Sequence, residues 1–194
     1  MQLTGVLSIG LLIAIAFLEL DNKGRVTNFD LVKKAKRLLL AWLAATVLFI
    51  LVQIAYLLDQ PITASFDLTV IRSYLTQTSI GKSYLIQIIG IIVVLAISLK
   101  KVISTYIALL ISLIAITAAV FQSHGSTSGR HGLAIGALVI HVIALSFWVG
   151  GLFGLTQLGK EHKLIALPRF SSIALWSAIT VALTGAATAW TRLD

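Results

Sequence analysis

Long ranges without a charged residue divide the chain into six apolar segments. These charge-free ranges are 1–18, 38–58, 83–99, 102–129, 132–159 and 170–191. A helix needs about 20 apolar residues to cross a hydrocarbon core of about 30 Å, and each range meets this length or comes close. A transmembrane strand would alternate apolar and polar residues, and these ranges do not. The pattern predicts six transmembrane helices, over about 3–20, 38–58, 83–99, 102–122, 132–158 and 170–191.

Composition supports an all-α, polytopic membrane helix bundle that forms a single transmembrane domain over 1–194. The chain is 58% hydrophobic and 11% charged, whereas a typical soluble domain has about 25% charged residues. So few charges cannot cover the surface of a soluble protein, which excludes soluble enzymes and disordered tails. The first segment has no basic residue before its apolar run and no small-residue cleavage pattern after it, so it is interpreted as a membrane helix rather than a signal peptide.

The basic residues predict how the helices are oriented. Of the 15 lysines and arginines, eleven fall in connections on one side of the predicted bundle and four on the other. The eleven are Lys23, Arg25, Lys33, Lys34, Lys36, Arg37, Lys100, Lys101, Lys160, Lys163 and Arg169, and the four are Arg72, Lys82, Arg130 and Arg192. By the positive-inside rule the side with eleven is cytoplasmic, which places the N-terminus outside.

The net charge of +8 then follows from topology and indicates no nucleic-acid partner. The bilayer is the expected partner, and the basic linker 21–37 is expected to contact anionic lipid. On the outer side, the connection 59–82 is interpreted as a short interfacial helix or a lid.

Three of the four histidines lie near the predicted outer face. His124 and His131 flank a Gly/Ser/Thr linker that is flexible enough to bring both imidazoles together. His141 follows after ten residues, about 15 Å of helix rise, which places it near the middle of the bilayer. An ionisable residue at that depth favours a functional site, and the alternative is a histidine that hydrogen-bonds a neighbouring helix. His131 and His141 cannot bind one ion together on a regular helix, so they are interpreted as two steps of a path, or as a surface site and a separate buried histidine.

Other polar and small residues are candidates for helix packing or for lining a path. The glutamines are expected chiefly to hydrogen-bond between helices, and glycines four residues apart are typical of close helix contacts. A tryptophan seven residues from His141 would lie on the same helix face. These candidates are Gln53, Gln87, Trp148, Gly150, Gly151 and Gly154.

Three segments near the end of the chain carry a resemblance to a known family. His141-Val-Ile-Ala-Leu-Ser-Phe-Trp-Val-Gly-Gly-Leu152 is followed by Arg169-Phe-Ser-Ser-Ile-Ala-Leu175 and by Thr184-Gly185. This arrangement, within about 122–190, resembles the copper resistance protein D family of bacterial inner-membrane proteins. The resemblance implies copper movement inward from the periplasmic side, often with a periplasmic copper-binding partner. It also implies that the chain is an N-terminal fragment, because family members continue into further helices.

The resemblance implies that His124, His131 and His141 contact the metal, and imidazole is a suitable ligand for copper. The chain has no cysteine and one methionine, Met1, which argues against a thiol-rich path for Cu(I) export. It also has no phosphate-binding loop of the ATPase type, so no enzyme activity is predicted. The sequence does not determine the copper oxidation state or whether the chain forms a homo-oligomer.

Three alternatives remain. A b-type haem or quinone-linked electron-transfer protein is disfavoured because haem needs axial histidines on facing helices, and only His141 lies deep. A factor that delivers copper to a respiratory oxidase would use the same ligands. A membrane scaffold without a site is the simplest alternative.

Overall fold

The computed structural model describes residues 1–18, 28–118 and 131–193, and the regular elements in these ranges are helices. The predicted all-α fold is therefore confirmed. In chain order the elements are α1 (Gln2–Ile13), a π-helical turn (Ala14–Leu18), α2 (Phe29–Leu58), a 3-10 helix (Ile62–Phe66), α3 (Leu68–Gln77), α4 (Ser79–Ala96), α5 (Val102–Ala118), α6 (His131–Leu145), a second π-helical turn (Ser146–Gly150), α7 (Gly151–Thr156) and α8 (Lys160–Leu193).

Length and composition identify the helices that suit a bilayer. In the part of the chain that the structure describes, Phe29–Leu58, Ser79–Ala96, Ile135–Thr156 and Lys160–Trp190 are long and apolar enough to cross a membrane. Gln2–Phe17 and Ile103–Ala118 are shorter apolar helices. The range Ile135–Thr156 joins α6, the second π-helical turn and α7 into one helix, referred to below as the α6–α7 helix.

Two helices extend beyond the ranges that charge alone suggested. Helix α2 begins at Phe29, where the Asn28 side chain accepts a hydrogen bond from the Leu31 backbone N–H at 3.0 Å. Helix α8 begins at Lys160 and contains Pro168. The first charge marks where a bilayer would end, whereas a helix ends only where its backbone hydrogen bonding stops. Charged residues at a membrane surface therefore remain helical.

The connection 59–82 forms a folded corner. Asp59 ends α2 in a left-handed conformation with φ 51°. The Asp67 side chain accepts a hydrogen bond from the Thr69 backbone N–H at 2.8 Å and so caps α3, and the Thr78 side chain caps α4 by accepting from the Gly81 N–H at 2.8 Å. These caps satisfy backbone donors at both helix starts, which fixes α3 between α2 and α4.

Helix α1 is the centre of the bundle. Residues 8–16 are all buried, and α1 packs against α2, α5 and the α6–α7 helix. One hydrophobic cluster joins α1 to Trp42, Ile91 and Ile116 on α2, α4 and α5. A helix that is apolar on every side is suited to burial on every side.

Glycines let the backbones of α1 and the α6–α7 helix touch. A Cβ atom added to Gly10 would collide with the Gly150 backbone, and one added to Gly154 would collide with the Gly10 carbonyl oxygen. A Cβ atom on Gly150 would lie 2.6 Å from the Val6 carbonyl oxygen. Small residues that allow backbones to approach are typical of helix contacts in membranes. This crossing fixes the position of the α6–α7 helix.

Seven of the eight described lysines lie at one end of the bundle, and Lys82, in the first turn of α4, lies at the other. Lys34 Nζ donates a hydrogen bond to Gln157 Oε1 at 3.2 Å, and Lys36 Nζ donates to the Leu95 carbonyl oxygen at 3.1 Å. These contacts join the start of α2 to the end of α4, near Lys100 and Lys101, and to the α7–α8 connection, near Lys160 and Lys163.

The glycine crossing predicts a position-specific loss of stability. Gly10→Ala should lower the free energy of unfolding by about 1–3 kcal/mol, because the added methyl group has no space. The measurement is denaturation of the purified protein in detergent, followed by circular dichroism.

Gly136→Ala is the matched control, since a Cβ atom there meets nothing within 4 Å. It should leave stability unchanged or raise it slightly, because alanine is the better helix former. Equal losses for the two variants would contradict the role of the crossing.

Candidate functional site

His141 faces α8 from the middle of the α6–α7 helix. Its Nδ1 atom lies 3.0 Å from Thr184 Oγ1, and the imidazole is half-buried. The two residues are far apart in the sequence and meet because α6 and α8 pack side by side. The histidine therefore has a hydrogen-bond partner on another helix and also remains partly accessible.

The hydrogen bonds of Thr184 determine the imidazole tautomer. Thr184 Oγ1 lies 2.6 Å from the Thr180 carbonyl oxygen and 3.3 Å from the Val181 carbonyl oxygen. A hydroxyl has one hydrogen, and these carbonyls can only accept it. Thr184 Oγ1 must then accept its hydrogen bond from His141, which requires a proton on Nδ1. In the neutral imidazole the lone pair of His141 is then on Nε2, the arrangement seen in metal-binding histidines whose other nitrogen donates to a fixed acceptor.

Small residues on α8 open a groove beside the imidazole. This α6–α8 groove has a volume of about 400 Å³ and is lined by Leu138, His141, Gly185, Thr188 and Ala189. A Cβ atom on Gly185 would lie 3.7 Å from His141 Cε1, so any side chain there would narrow the groove. The groove is large enough for an ion with part of its hydration shell.

The other predicted metal ligands are not brought to this groove. His124 lies outside the described residues. His131 is the first residue of α6, ten positions before His141, and its side chain is outside the described set. Ten residues of helix correspond to about 15 Å, so one ion cannot bind both imidazoles. Within the described ranges, no group of three or more His, Cys, Asp or Glu side chains is placed to hold a metal ion.

The fourth histidine is remote from the groove. His162 is exposed in the first turn of α8, close to Gly159 at the lysine-rich end.

The two predicted glutamines have different surroundings. Gln87 is fully buried, and its Nε2 donates to Thr46 Oγ1 at 2.8 Å, while Thr46 donates to the Trp42 carbonyl oxygen at 2.8 Å. This bond joins α4 to α2. Gln53 is half-buried on α2.

Of the candidate residues that follow His141, the glycines pack against other helices and the tryptophan is exposed. Gly150 and Gly154 lie against α1, and a Cβ atom on Gly151 would lie 2.5 Å from the Phe170 ring of α8. Trp148 is 38% exposed in the second π-helical turn, which changes the register that a regular α-helix would give it relative to His141. The glycines therefore position the helix that carries His141, and Trp148 lies on its outer surface.

Thr184 and Thr188 belong to the site, although the sequence did not single them out as site residues. Thr180, Thr184 and Thr188 are spaced four apart, so they form a polar stripe on one face of an otherwise apolar α8. Each of the three hydroxyls donates to a carbonyl one turn earlier. The spacing of the threonines predicts a polar stripe, but its role at the site follows only from the position of α6, which faces it.

The hydrogen bonding at His141 predicts a specific tautomer. In ¹⁵N spectra of histidine-labelled protein, the neutral form of His141 should carry its proton on Nδ1. Thr184→Val removes the acceptor and should shift this equilibrium, while Thr184→Ser keeps the hydroxyl and should preserve it. A spectrum that is identical in the Thr184→Val variant would refute the assigned bond.

A comparison with models of protein families identifies the family of the chain. Residues 1–134 match the family model of the copper resistance protein D-like N-terminal domain. No curated protein and no solved structure matches the chain. The family match covers more than half of the chain and ends before the His141 to Gly185 segments that carry the sequence resemblance. The chain therefore belongs to the family of copper resistance protein D-like proteins and includes its N-terminal domain.

Proposed function

We propose that this membrane protein binds copper and takes part in copper uptake from the external side. Family membership supports a role in copper resistance or transport in general. The observation that carries the finer proposal is the His141–Thr184 pair. It holds an imidazole beside an open groove with Nδ1 bonded to Thr184, so Nε2 is the ring nitrogen left to bind a metal, and imidazole is a ligand that copper prefers. We propose no enzymatic reaction.

We propose that copper moves in two steps along α6. His131 begins this helix and, with His124 in the preceding segment, would form the outer site. His141 lies about 15 Å further along the helix and would receive the ion inside the bundle. The polar stripe of α8 faces this second position and supplies hydroxyls instead of apolar side chains.

A single imidazole does not hold copper by itself, so the inner site needs further ligands. The face of α8 away from α6 is exposed along its length, with Trp176 and Leu183 each 67% exposed. Further helices of a longer chain, or a second copy of this one, would have to pack along α8 at the open side of the α6–α8 groove to supply these ligands. A periplasmic copper-binding protein remains the proposed donor to the outer site.

We propose that the protein lies in the bacterial inner membrane with its N-terminus outside. The positive-inside rule places the lysine-rich end in the cytoplasm. The bonds of Lys34 and Lys36 support this because they join three basic segments at one end. The histidines of α6 then lie towards the side from which periplasmic copper arrives.

Haem binding is a weaker alternative. An axial pair needs a second strong ligand opposite His141. In the described part of α8, the residues at the groove are Thr184, Gly185, Thr188 and Ala189, whose side chains are hydroxyls or aliphatic.

Copper content tests the proposal directly. His141→Ala should lower the copper bound per chain and abolish uptake by reconstituted vesicles. His162→Ala is the matched control and should retain both, because His162 is exposed at the opposite end. Metal is measured by elemental analysis after removal of free copper. Purified protein that shows a haem absorption band and binds no copper would overturn the proposal.

The supporting threonine has its own expected effect. Thr184→Val should weaken copper binding by about 10-fold to 100-fold, as is typical when the partner of a ligating histidine is removed. Thr184→Ser should bind copper as the unaltered protein does. The measurement is competition for copper against a chelator of known affinity.

The orientation in the membrane is tested by labelling single introduced cysteines. The chain has no native cysteine, so only the introduced one can react. A membrane-impermeant maleimide should label Thr127→Cys from the periplasm in intact cells. His162→Cys should react only after the inner membrane is opened. The reverse pattern would overturn the proposed topology.

A further inference from the structure

A second groove lies beside the turn that joins α4 to α5, at the lysine-rich end of the bundle. It has a volume of about 480 Å³. Its lining residues are Ile97, Ser98, Lys100, Lys101, Ser104 and Ile107. This α4–α5 groove shares no residue with the α6–α8 groove, so it is a separate cavity from the one beside His141.

The turn that carries the two lysines is held in place on both sides. Before them, the Leu99 side chain is 1% exposed and packs into the hydrophobic cluster around α1. After them, the Ser104 hydroxyl lies 2.6 Å from the Ser98 carbonyl oxygen and 2.7 Å from the Lys101 carbonyl oxygen. The backbone of the turn is therefore fixed, while the side chains of Lys100 and Lys101 are exposed.

Positive charge is in excess around this groove. The sequence contains no aspartate or glutamate between Asp67 and Glu161, so the turn has no acidic residue near it in the chain. At the same end of the described structure, nine lysines and arginines accompany two acidic residues, Asp30 and Glu161. Asp30 Oδ1 lies 3.7 Å from Lys33 Nζ, so it is already paired with a lysine of its own helix. The groove therefore favours an anion.

An apolar stripe leads away from the two lysines along α5. Ile103, Ile107, Leu110 and Ile114 are 74%, 48%, 60% and 54% exposed. Their spacing of four, three and four residues places them on one face of the helix. From the first to the last of them the helix rises by about 16 Å. Because Ile107 also lines the groove, the charged surface and the apolar stripe are continuous.

The level of the groove in the membrane indicates where its ligand comes from. Helix α4 is long and apolar enough to cross a bilayer, and the turn follows its last residues directly. Phospholipid headgroups lie at this level, and their acyl chains fill the hydrocarbon core beside the helices. A soluble anion would match the lysines but not the apolar stripe. A zwitterionic lipid would match the stripe but has no net charge, so an anionic lipid is the ligand that matches both.

We propose that the α4–α5 groove binds an anionic phospholipid, whose phosphate contacts Lys100 and Lys101 and whose acyl chain lies along the apolar stripe of α5. Basic residues close to a membrane surface attract anionic lipids. This site is independent of the proposed copper function. In the proposed orientation it lies in the cytoplasmic leaflet, where the lipid would hold the α4–α5 turn at the membrane surface.

Lipid binding to the purified full chain tests this site. The protein in detergent is titrated with dioleoyl phosphatidylglycerol or with dioleoyl phosphatidylcholine, and native mass spectrometry measures the dissociation constant of the first bound lipid. The two lipids have the same acyl chains and differ in net charge. Phosphatidylglycerol should bind about 10-fold to 30-fold more tightly, because two lysines contact its phosphate. Equal dissociation constants for the two lipids would overturn the proposal.

Double variants that remove equal charge distinguish the groove from general attraction. Lys100→Gln with Lys101→Gln should weaken phosphatidylglycerol binding about 10-fold to 30-fold and leave phosphatidylcholine binding unchanged. Lys160→Gln with Lys163→Gln is the matched control, because it removes two lysines at the same end outside the groove, and it should leave both affinities nearly unchanged. Lys100→Arg with Lys101→Arg keeps the charges and should keep the binding. Equal losses in the two glutamine variants would show attraction to the whole basic surface and overturn the site.

A substitution on α5 tests the contact with the acyl chain. Ile107→Asn replaces an apolar wall of the groove and should weaken phosphatidylglycerol binding about threefold to tenfold. Ile86→Asn is the matched control, because Ile86 is 52% exposed on α4 and does not line the groove, and it should leave the affinity unchanged. Equal affinities in these two variants would overturn the proposed path of the chain.

Competition distinguishes a lipid from a soluble anion. Glycerol 3-phosphate and inorganic phosphate carry the anionic group without an acyl chain. At a concentration equal to that of phosphatidylglycerol, neither should displace the bound lipid, because neither contacts the apolar stripe. Displacement by either of them at that concentration would assign the groove to a soluble phosphate and overturn the lipid assignment.

Discussion

Backbone contact between α1 and the α6–α7 helix is the constraint on which the rest of the bundle depends. Gly10 lies against Gly150, and Gly154 lies against the Gly10 carbonyl, so no side chain separates the two helices. Lipid tails are as apolar as the side chains, so moving an apolar side chain from lipid into a helix contact gains little free energy. Close packing must therefore supply the attraction between helices. The crossing provides that packing and places α6 beside α8.

The same crossing joins the part of the chain that the family model matches to the part that carries the sequence resemblance. Helix α1 lies within residues 1–134, which the family model matches, whereas the α6–α7 helix extends beyond them. His141 and Thr184 lie in that later part. The domain that defines the family therefore holds the histidine-bearing helix at a fixed position through three glycines.

Two pairs of polar side chains inside the bundle have similar chemistry and different accessibility. Gln87 bonds Thr46 where both side chains are fully buried, which joins α4 to α2. His141 bonds Thr184 beside an open groove. Each pair gives a hydrogen-bond partner to a polar group that would be costly in hydrocarbon, although Gln87 Oε1 is buried without a partner among the described residues. Only the histidine retains both a lone pair and a path to it, which is why burial distinguishes a packing residue from a candidate ligand.

The sequence by itself determined the all-α fold, the apolar segments and the uneven distribution of charge, because hydropathy and charge are properties of each residue in order. It also singled out His141, since a titratable residue stands out in a range without charges. It did not determine where α2 and α8 begin, because a helix continues past the last apolar residue. Only the tertiary structure decided which groups meet. Thr184 reaches His141, Gly10 reaches Gly150 and Lys36 reaches the Leu95 carbonyl through contacts between residues far apart in the chain, and no local pattern encodes such distances.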